Sequence, residues 1–202
     1  MTLWMVGCGS SSELPPAAGP DPSPPLEQRP AGIVVPAGAV PPSAAAGGAE
    51  AIVDAGRRRA VVRPRERVLE VYDRATGERV GRAPAGAGPT RVVAGEGGLA
   101  YVVDTAGDGL LVFETRGRLR ILRRYPLLGA PYGVASDLRN GRLWVSLTAR
   151  NQLVELATSA RPHRLAVFAT VRQPDEVATD GRRVYVRGAD GVVQLLDARR
   201  AR

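Results

Sequence analysis

The segment Pro89–Ala94, which reads Pro-Thr-Arg-Val-Val-Ala, recurs twice more in the chain. The second copy is Pro-Tyr-Gly-Val-Ala-Ser at Pro131–Ser136, and the third is Pro-Asp-Glu-Val-Ala-Thr at Pro174–Thr179. The copies begin 42 and then 43 residues apart. A period of this length is typical of proteins that stack one supersecondary unit against the next. We therefore predict a repeat architecture.

Two further apolar runs follow each copy after polar breaks. Their β-branched and aromatic residues predict strands, and the segments between units suit an outermost strand. Each unit then has four strands, so the sequence predicts an all-β fold, a β-propeller of four-stranded blades. The aromatic-led runs are Tyr101–Val103, Trp144–Ser146 and Tyr185–Arg187; the third runs are Leu110–Phe113, Leu153–Leu156 and Val192–Leu195.

A weaker copy precedes these three, because Val68–Asp73 lies 42 residues before Leu110–Thr115. It lacks the proline and the aromatic residue, as terminal repeats often do. We therefore expect about four blades over residues 48–202. The predicted units lie near 48–87, 88–129, 130–172 and 173–202, after a lipobox-like segment at 1–8 and a tether at 9–47.

The repeat resembles the YVTN-type β-propeller family. Gly88–Val93 leads to Tyr101–Asp104 as in that repeat, and Asp180–Val186 is the best match to its turn and strand. The resemblance covers roughly residues 48–202 and implies a propeller fold without specifying a chemistry. Such propellers usually close with six to eight blades, whereas this chain has four repeats.

Four repeats leave blade faces and a strand edge to be covered. The last unit ends after its third strand, and Gly32–Val35 is the only apolar run between the start of the chain and Ile52. We predict that Gly32–Val35 supplies the missing outermost strand. The alternative is an open four-blade arc that dimerises face to face, which would make the protein a homodimer.

The N-terminal residues differ in kind from the repeats. Ten of the 17 prolines lie between Ser10 and Pro42, which predicts a disordered, semi-extended tether. Met5–Ser11 resembles the lipobox of bacterial lipoproteins, which implies a diacylated Cys8 and an extracytoplasmic, membrane-anchored protein. Only seven residues precede Cys8, fewer than a signal peptide needs, so either the start lies upstream or the match is chance and Cys8 is a lone thiol.

The charge does not favour a nucleic-acid partner. The formal net charge is +8, yet all 28 basic residues are arginine and they are dispersed along the chain. A nucleic-acid-binding protein would gather basic residues on one face with aromatic residues between them. An anionic surface polymer or another envelope protein is the partner that we expect.

Candidate chemistry is sparse. The only histidine, His163, lies in a predicted turn, so no haem ligand set, zinc cluster or serine triad can be assembled, and no cofactor or metal is predicted. The repeat register gathers variable residues on one face, at the loops that enter the innermost strands. The candidate ligand or partner residues there are Arg91, Tyr132, Asp175, Glu176 and Asn151.

Two functions remain open for this face. The first is a non-enzymatic binding or scaffolding module of the cell envelope. The second is a metal-assisted hydrolase that resembles lactonase-type propellers and uses Asp175, Glu176 and Asn151. The acidic pair also has a plain interpretation as a solvated loop pair neutralised by Arg172 or Arg91. The sequence favours the first function, without a catalytic assignment.

Overall fold

The computed structural model describes residues 28–36, 38 and 44–199, which form an almost entirely antiparallel β structure. The predicted lipobox, Cys8 and most of the predicted tether lie outside these residues. The strands are β1 (Ile33–Val35), β2 (Ala45–Ala46), β3 (Glu50–Val53), β4 (Arg58–Arg63), β5 (Val68–Asp73), β6 (Arg79–Pro84), β7 (Pro89–Ala94), β8 (Leu99–Asp104), β9 (Gly109–Glu114), β10 (Arg120–Pro126), β11 (Pro131–Asp137), β12 (Arg142–Leu147), β13 (Gln152–Ala157), β14 (Arg164–Ala169), β15 (Pro174–Thr179), β16 (Arg183–Gly188) and β17 (Val193–Asp197).

Four sheets follow one another along the chain. The first sheet is β3–β6, the second is β7–β10 and the third is β11–β14, each in sequence order. The fourth sheet has the order β1-β17-β16-β15-β2. These are the blades of a β-propeller, so the predicted fold class is confirmed.

Hydrophobic clusters join neighbouring sheets. One cluster lies between the first and second sheets, another between the second and third, and a third between the third and fourth. Tyr101 and Trp144, at equivalent repeat positions, are buried in the second and third of these clusters. Tyr185 instead packs on the opposite face of the fourth sheet with Val35 and Ala44. Among the described residues, no hydrophobic cluster joins the fourth sheet to the first.

The N-terminal segment covers the fourth sheet in two places. β1 pairs antiparallel with β17, with Ile33 opposite Leu195 and Val35 opposite Val193. The prediction that Gly32–Val35 supplies the missing outermost strand is therefore confirmed. The four sheets nevertheless form an open arc, since no hydrophobic cluster of the described residues joins the fourth sheet to the first. β2 then pairs with the inner edge of β15.

Residues 44–48, which we call the strap, continue across the inner edges of two further sheets. The Gly47 amide donates to the Val134 carbonyl at 2.6 Å, and Gly48 forms a β-bridge with Val92. The strap therefore satisfies main-chain groups of three sheets whose inner edges, among the described residues, have no other strand beside them.

The predicted alignment of the last repeat is displaced by one residue. The structure pairs Tyr101 with Val112 and Trp144 with Glu155, but Tyr185 with Leu195. The third run of the last unit therefore begins at Val193 rather than Val192. The preceding turn contains one more residue than the alignment allowed, and pairing register, not apolar content, fixes which residues are equivalent.

The first sheet ends the arc with a charged surface, which we call the arginine face: Glu50, Arg59, Arg63, Glu70, Tyr72, Arg79 and Arg82. Glu70 is at its centre and is 5% exposed. Its carboxylate accepts hydrogen bonds from the Tyr72 hydroxyl at 2.6 Å, Arg63 Nε at 3.1 Å and Arg79 Nη1 at 2.8 Å. A polar outer face of this kind is what a terminal repeat needs to remain soluble.

Glu70→Gln should lower the free energy of unfolding by about 2 kcal/mol at pH 7. The Tyr72 hydroxyl, followed by Arg63 and Arg79, lowers the pKa of the Glu70 carboxyl to about 2. Because the folded pKa lies below the unfolded value, this stabilisation is complete above about pH 5 and is lost as the pH falls toward 2. Urea unfolding of both proteins between pH 7 and pH 3 measures it. A stability difference that does not shrink on acidification would contradict this account.

Candidate functional site

The innermost strands of the second, third and fourth sheets begin in the same way. Each starts with a proline, and each has a register shift within the next two or three residues against its neighbouring strand. Such β-bulges redirect side chains at the end of a strand. We call the surface that carries these strand starts and the adjoining turns the loop face.

Arg91 links three sheets across the loop face. Its guanidinium carbon lies 5.1 Å from the centre of the Tyr132 ring, which is a cation–π distance. Nη1 donates to the Gly47 carbonyl at 2.9 Å, and Nη2 donates to the Asp175 carbonyl at 3.3 Å. Arg91 thus holds the strap and the start of β15 in place.

Asp175 and Glu176 share one arginine. Arg187 Nη1 lies 2.9 Å from Glu176 Oε2, and Arg187 Nε donates to Asp175 Oδ1 at 3.4 Å. The three side chains are 43%, 32% and 21% exposed for Arg187, Glu176 and Asp175. The sequence suggested Arg172 or Arg91 as the neutralising partner, whereas the structure places Arg187 there. Arg187 comes from β16, the strand paired with β15.

Asn151 has a main-chain role next to this cluster. It adopts a left-handed conformation with φ of 50° and is 6% exposed. Its side-chain oxygen accepts a hydrogen bond from the Gln173 amide at 2.8 Å, and its carbonyl accepts one from the Thr170 amide. Asn151 therefore shapes the loop that leads into β15.

The other loop-face acids hold turns. Asp104, fully buried, accepts hydrogen bonds from the amides of Gly88 and Gly107. Asp108 accepts two, from the amides of Gly129 and Ala130, both at 2.9 Å. One oxygen of each carboxylate accepts these main-chain donors, which is the ordinary role of aspartate in turns.

Hydroxyl groups that the sequence did not single out connect each sheet to the next. Thr105 Oγ1 donates to the Pro131 carbonyl at 2.7 Å, and Ser146 Oγ donates to the Pro174 carbonyl at 2.8 Å while accepting from the Gly133 amide. The available signal was their polarity within apolar runs, close to a repeated proline. They fix the bulged strand starts, and hence the positions of the candidate residues.

The loop face combines charged and aromatic side chains on paired strands. In the part of the chain that the structure describes, no three histidine, cysteine or acidic side chains are grouped so as to hold a metal ion. His163 is exposed, and its carbonyl accepts from the Ala157 amide. No helix among the described residues is long and apolar enough to span a membrane. What the loop face offers is Tyr132 and a partly exposed, arginine-centred charge cluster on rigid strands.

Comparison with known proteins supports the fold. No protein-family model and no curated protein matches the chain. Among solved structures, hydrazine synthase from Kuenenia stuttgartiensis superposes with a TM-score of 0.66 at 14% identity, covering 81% of this chain and 49% of that one.

Two further solved structures are similar to the same degree. Virginiamycin B lyase from Staphylococcus aureus gives a TM-score of 0.57 at 12% identity, covering 74% of this chain and 51% of that one. The dihydro-heme d1 dehydrogenase NirN gives 0.63 at 16%, covering 78% and 36%. This chain thus spans about half or less of the length of these proteins. Such low identities support the β-propeller fold and no shared activity.

Proposed function

We propose that this protein is a non-enzymatic binding or scaffolding module of the bacterial cell envelope that recognises its partner through the loop face. The observation that carries this function is the cluster of Arg187, Asp175 and Glu176, which Arg91 connects to the Tyr132 ring. These side chains are partly exposed and belong to strands fixed by ladder pairing, so they form a preorganised polar surface.

Charged groups of both signs make this surface suited to a polar partner, such as another envelope protein or an anionic surface polymer. Partly exposed ion pairs contribute to recognition and orientation more than to affinity. Both carboxylates already contact Arg187, so they are a poor starting point for metal-assisted hydrolysis.

Arg187→Glu should abolish partner recognition without removing the links that hold the sheets together. The variant places three acidic side chains side by side on the loop face. A partner that matches the original mixture of charges is then disfavoured by like-charge repulsion. Recovery of the partner from envelope extract by the immobilised protein measures the effect. We expect recovery to fall by about tenfold or more, since each 1.4 kcal/mol is a factor of ten. Arg91→Glu is a poorer choice because Arg91 also holds the strap.

Arg139→Glu is the matched control, since Arg139 is exposed in the turn between β11 and β12, at the opposite end of the strands. Recovery by this control should equal that by the unaltered protein. If no envelope component depends on Arg187, the loop face is not the recognition surface.

Anchoring is the second half of the proposed function. The lipobox-like segment around Cys8, followed by a proline-rich stretch, supports attachment to the membrane through lipid. Cys8→Ser, expressed in cells with a complete signal peptide in front, should move the protein from the membrane to the soluble fraction. Membrane retention by this variant would exclude a Cys8 anchor.

A further inference from the structure

Among the described residues, the arginines of the arginine face are about half-exposed, whereas the N-terminal segment packs on the other terminal face of the arc. On the fourth sheet, Val35 and Ala44 pack against Ala178, Tyr185 and Val193. On the first sheet, the residues of β4, β5 and β6 that belong to a hydrophobic cluster are those that face the second sheet. Within the part of the chain that the structure describes, the arginine face is therefore the terminal surface of the arc that remains exposed.

Strand register sets the arrangement of this face. Arg59 lies opposite Tyr72, and Arg82 lies opposite Glu70. Because neighbouring strands are about 4.8 Å apart, the backbones that carry the arginines of β4 and β6 are about 10 Å apart, on either side of β5. Glu70 fills the point at which Arg63, Arg79 and Arg82 converge.

The guanidiniums are fixed but remain accessible. The side chains of Arg59, Arg63, Arg79 and Arg82 are 45%, 46%, 53% and 47% exposed, whereas that of Glu70 is 6% exposed. Arg59 also stacks on the Tyr72 ring, 5.3 Å from its centre. Arg82 also donates to Glu66 at 2.8 Å, and Arg59 pairs with Glu50 at 3.5 Å. Each guanidinium carries five N–H donors, so those paired with a glutamate keep donors for a ligand.

We propose that the arginine face binds a linear phosphate polymer, whose successive phosphates contact Arg59, Arg63 and Arg82. A single anion has no place at the centre, because Glu70 occupies it. The guanidiniums arranged around that carboxylate instead match a chain that repeats its charge, and the arginine fork pairs with phosphate oxygens bidentately.

A folded protein partner fits this face less well. Stable protein interfaces have a core depleted in charge and rich in apolar or aromatic anchors. Here Arg59 covers the Tyr72 ring, and the exposed large apolar side chains of the first sheet, among the described residues, are Ile52 at 46% and Val80 at 41%. A hydrated polymer bound by half-exposed arginines requires no such core, because released counterions drive its binding. This surface is separate from the loop face and does not depend on the function proposed for it.

Long-chain polyphosphate added to the full-length protein tests this site by calorimetry at several salt concentrations. The double variant Arg63→Gln with Arg82→Gln should bind about tenfold more weakly at low salt, and the slope of log K against log salt should fall by about two. Arg139→Gln with Arg164→Gln removes the same charge from exposed positions of the third sheet. This control, and Arg187→Gln on the loop face, should leave the affinity within about twofold of the unaltered protein.

Arg59→Gln separates binding from folding, because its guanidinium is in no contact with Glu70 but pairs with Glu50 at 3.5 Å. It should weaken polyphosphate binding by several-fold while thermal stability stays near that of the unaltered protein. An equal loss of polyphosphate affinity in the control double variant would show that net charge alone drives binding, and would overturn the site. Tighter binding of polyglutamate than of polyphosphate would assign the face to an acidic peptide instead, and no binding would also overturn it.

Discussion

Replacing Gln194 by leucine should lower the free energy of unfolding by about 3 kcal/mol. The Gln194 side chain is fully buried between the third and fourth sheets. Its oxygen accepts a hydrogen bond from the Val171 amide at 3.1 Å, and its nitrogen donates to the carbonyls of Ala31 at 2.6 Å and Ala169 at 2.9 Å. Leucine leaves the Val171 amide and the Ala31 carbonyl without these partners, and each buried unpaired group costs about 1–3 kcal/mol.

The loss should be concentrated at β1, because Gln194 holds the residue that leads into it. Hydrogen exchange at the amides of β1 and β17 should accelerate before the rest of the chain opens. Gln152→Leu is the control, since Gln152 is only half-buried on β13, and its cost should stay below about 1 kcal/mol. Equal losses of unfolding free energy for the two variants in urea would contradict the role of Gln194 in attaching β1 to the fourth sheet.

Replacing Gly47 by alanine should destabilise the protein by about 2–3 kcal/mol. A Cβ atom at Gly47 would come within 2.5 Å of Val134 Cγ1, 2.7 Å of the Val134 carbonyl oxygen and 2.8 Å of Val93 Cγ1. These distances are too short for any carbon contact, so the strap must move away from the inner edges of the sheets. The hydrogen bond from Arg91 to the Gly47 carbonyl would be lost with it.

Gly48→Ala is a closely matched control for the strap. A Cβ atom there would meet nothing nearer than 3.9 Å, so its cost should stay below about 1 kcal/mol. Urea unfolding measures both variants, and faster hydrogen exchange at the Val92 amide, which donates to the Gly48 carbonyl, locates the change. Protection of Val92 that is unchanged in Gly47→Ala would show that the strap does not stabilise the inner edges.

Repeat spacing identifies strands and their order well, since period and apolar content arise from neighbouring residues. Pro89, Pro131 and Pro174 begin the innermost strands, and the predicted outermost strand at Gly32–Val35 pairs with β17. The exact pairing register of a strand is harder to predict from the sequence. Gln194 occupies the ladder position that Val154 and Leu111 occupy in the preceding units. A polar residue at that apolar position was the signal that a long-range hydrogen-bond network is centred there.

The candidate site shows the same division. The sequence grouped Arg91, Tyr132, Asp175 and Glu176 through their repeat positions, and the structure brings them to one face as two contacts, Arg91 on Tyr132 and Arg187 on the acidic pair. Repeat position cannot say which arginine neutralises which acid, because that depends on side-chain reach across paired strands. The strap beside Arg91 belongs to a part of the chain outside the repeats, so the repeat pattern contained no information about it.

The sequence by itself determined that this protein is built of four-stranded units in chain order, with an N-terminal strand completing the last one. Local composition suffices for that, since each strand is marked by its own apolar run and each unit by its proline. Only the tertiary structure decided how the two ends of the arc are finished: the N-terminal segment covers the fourth sheet, and arginines clustered around Glu70 cover the first. These features arise from contacts between residues far apart in the chain, and free energies of burial and pairing are set by such contacts rather than by any local pattern.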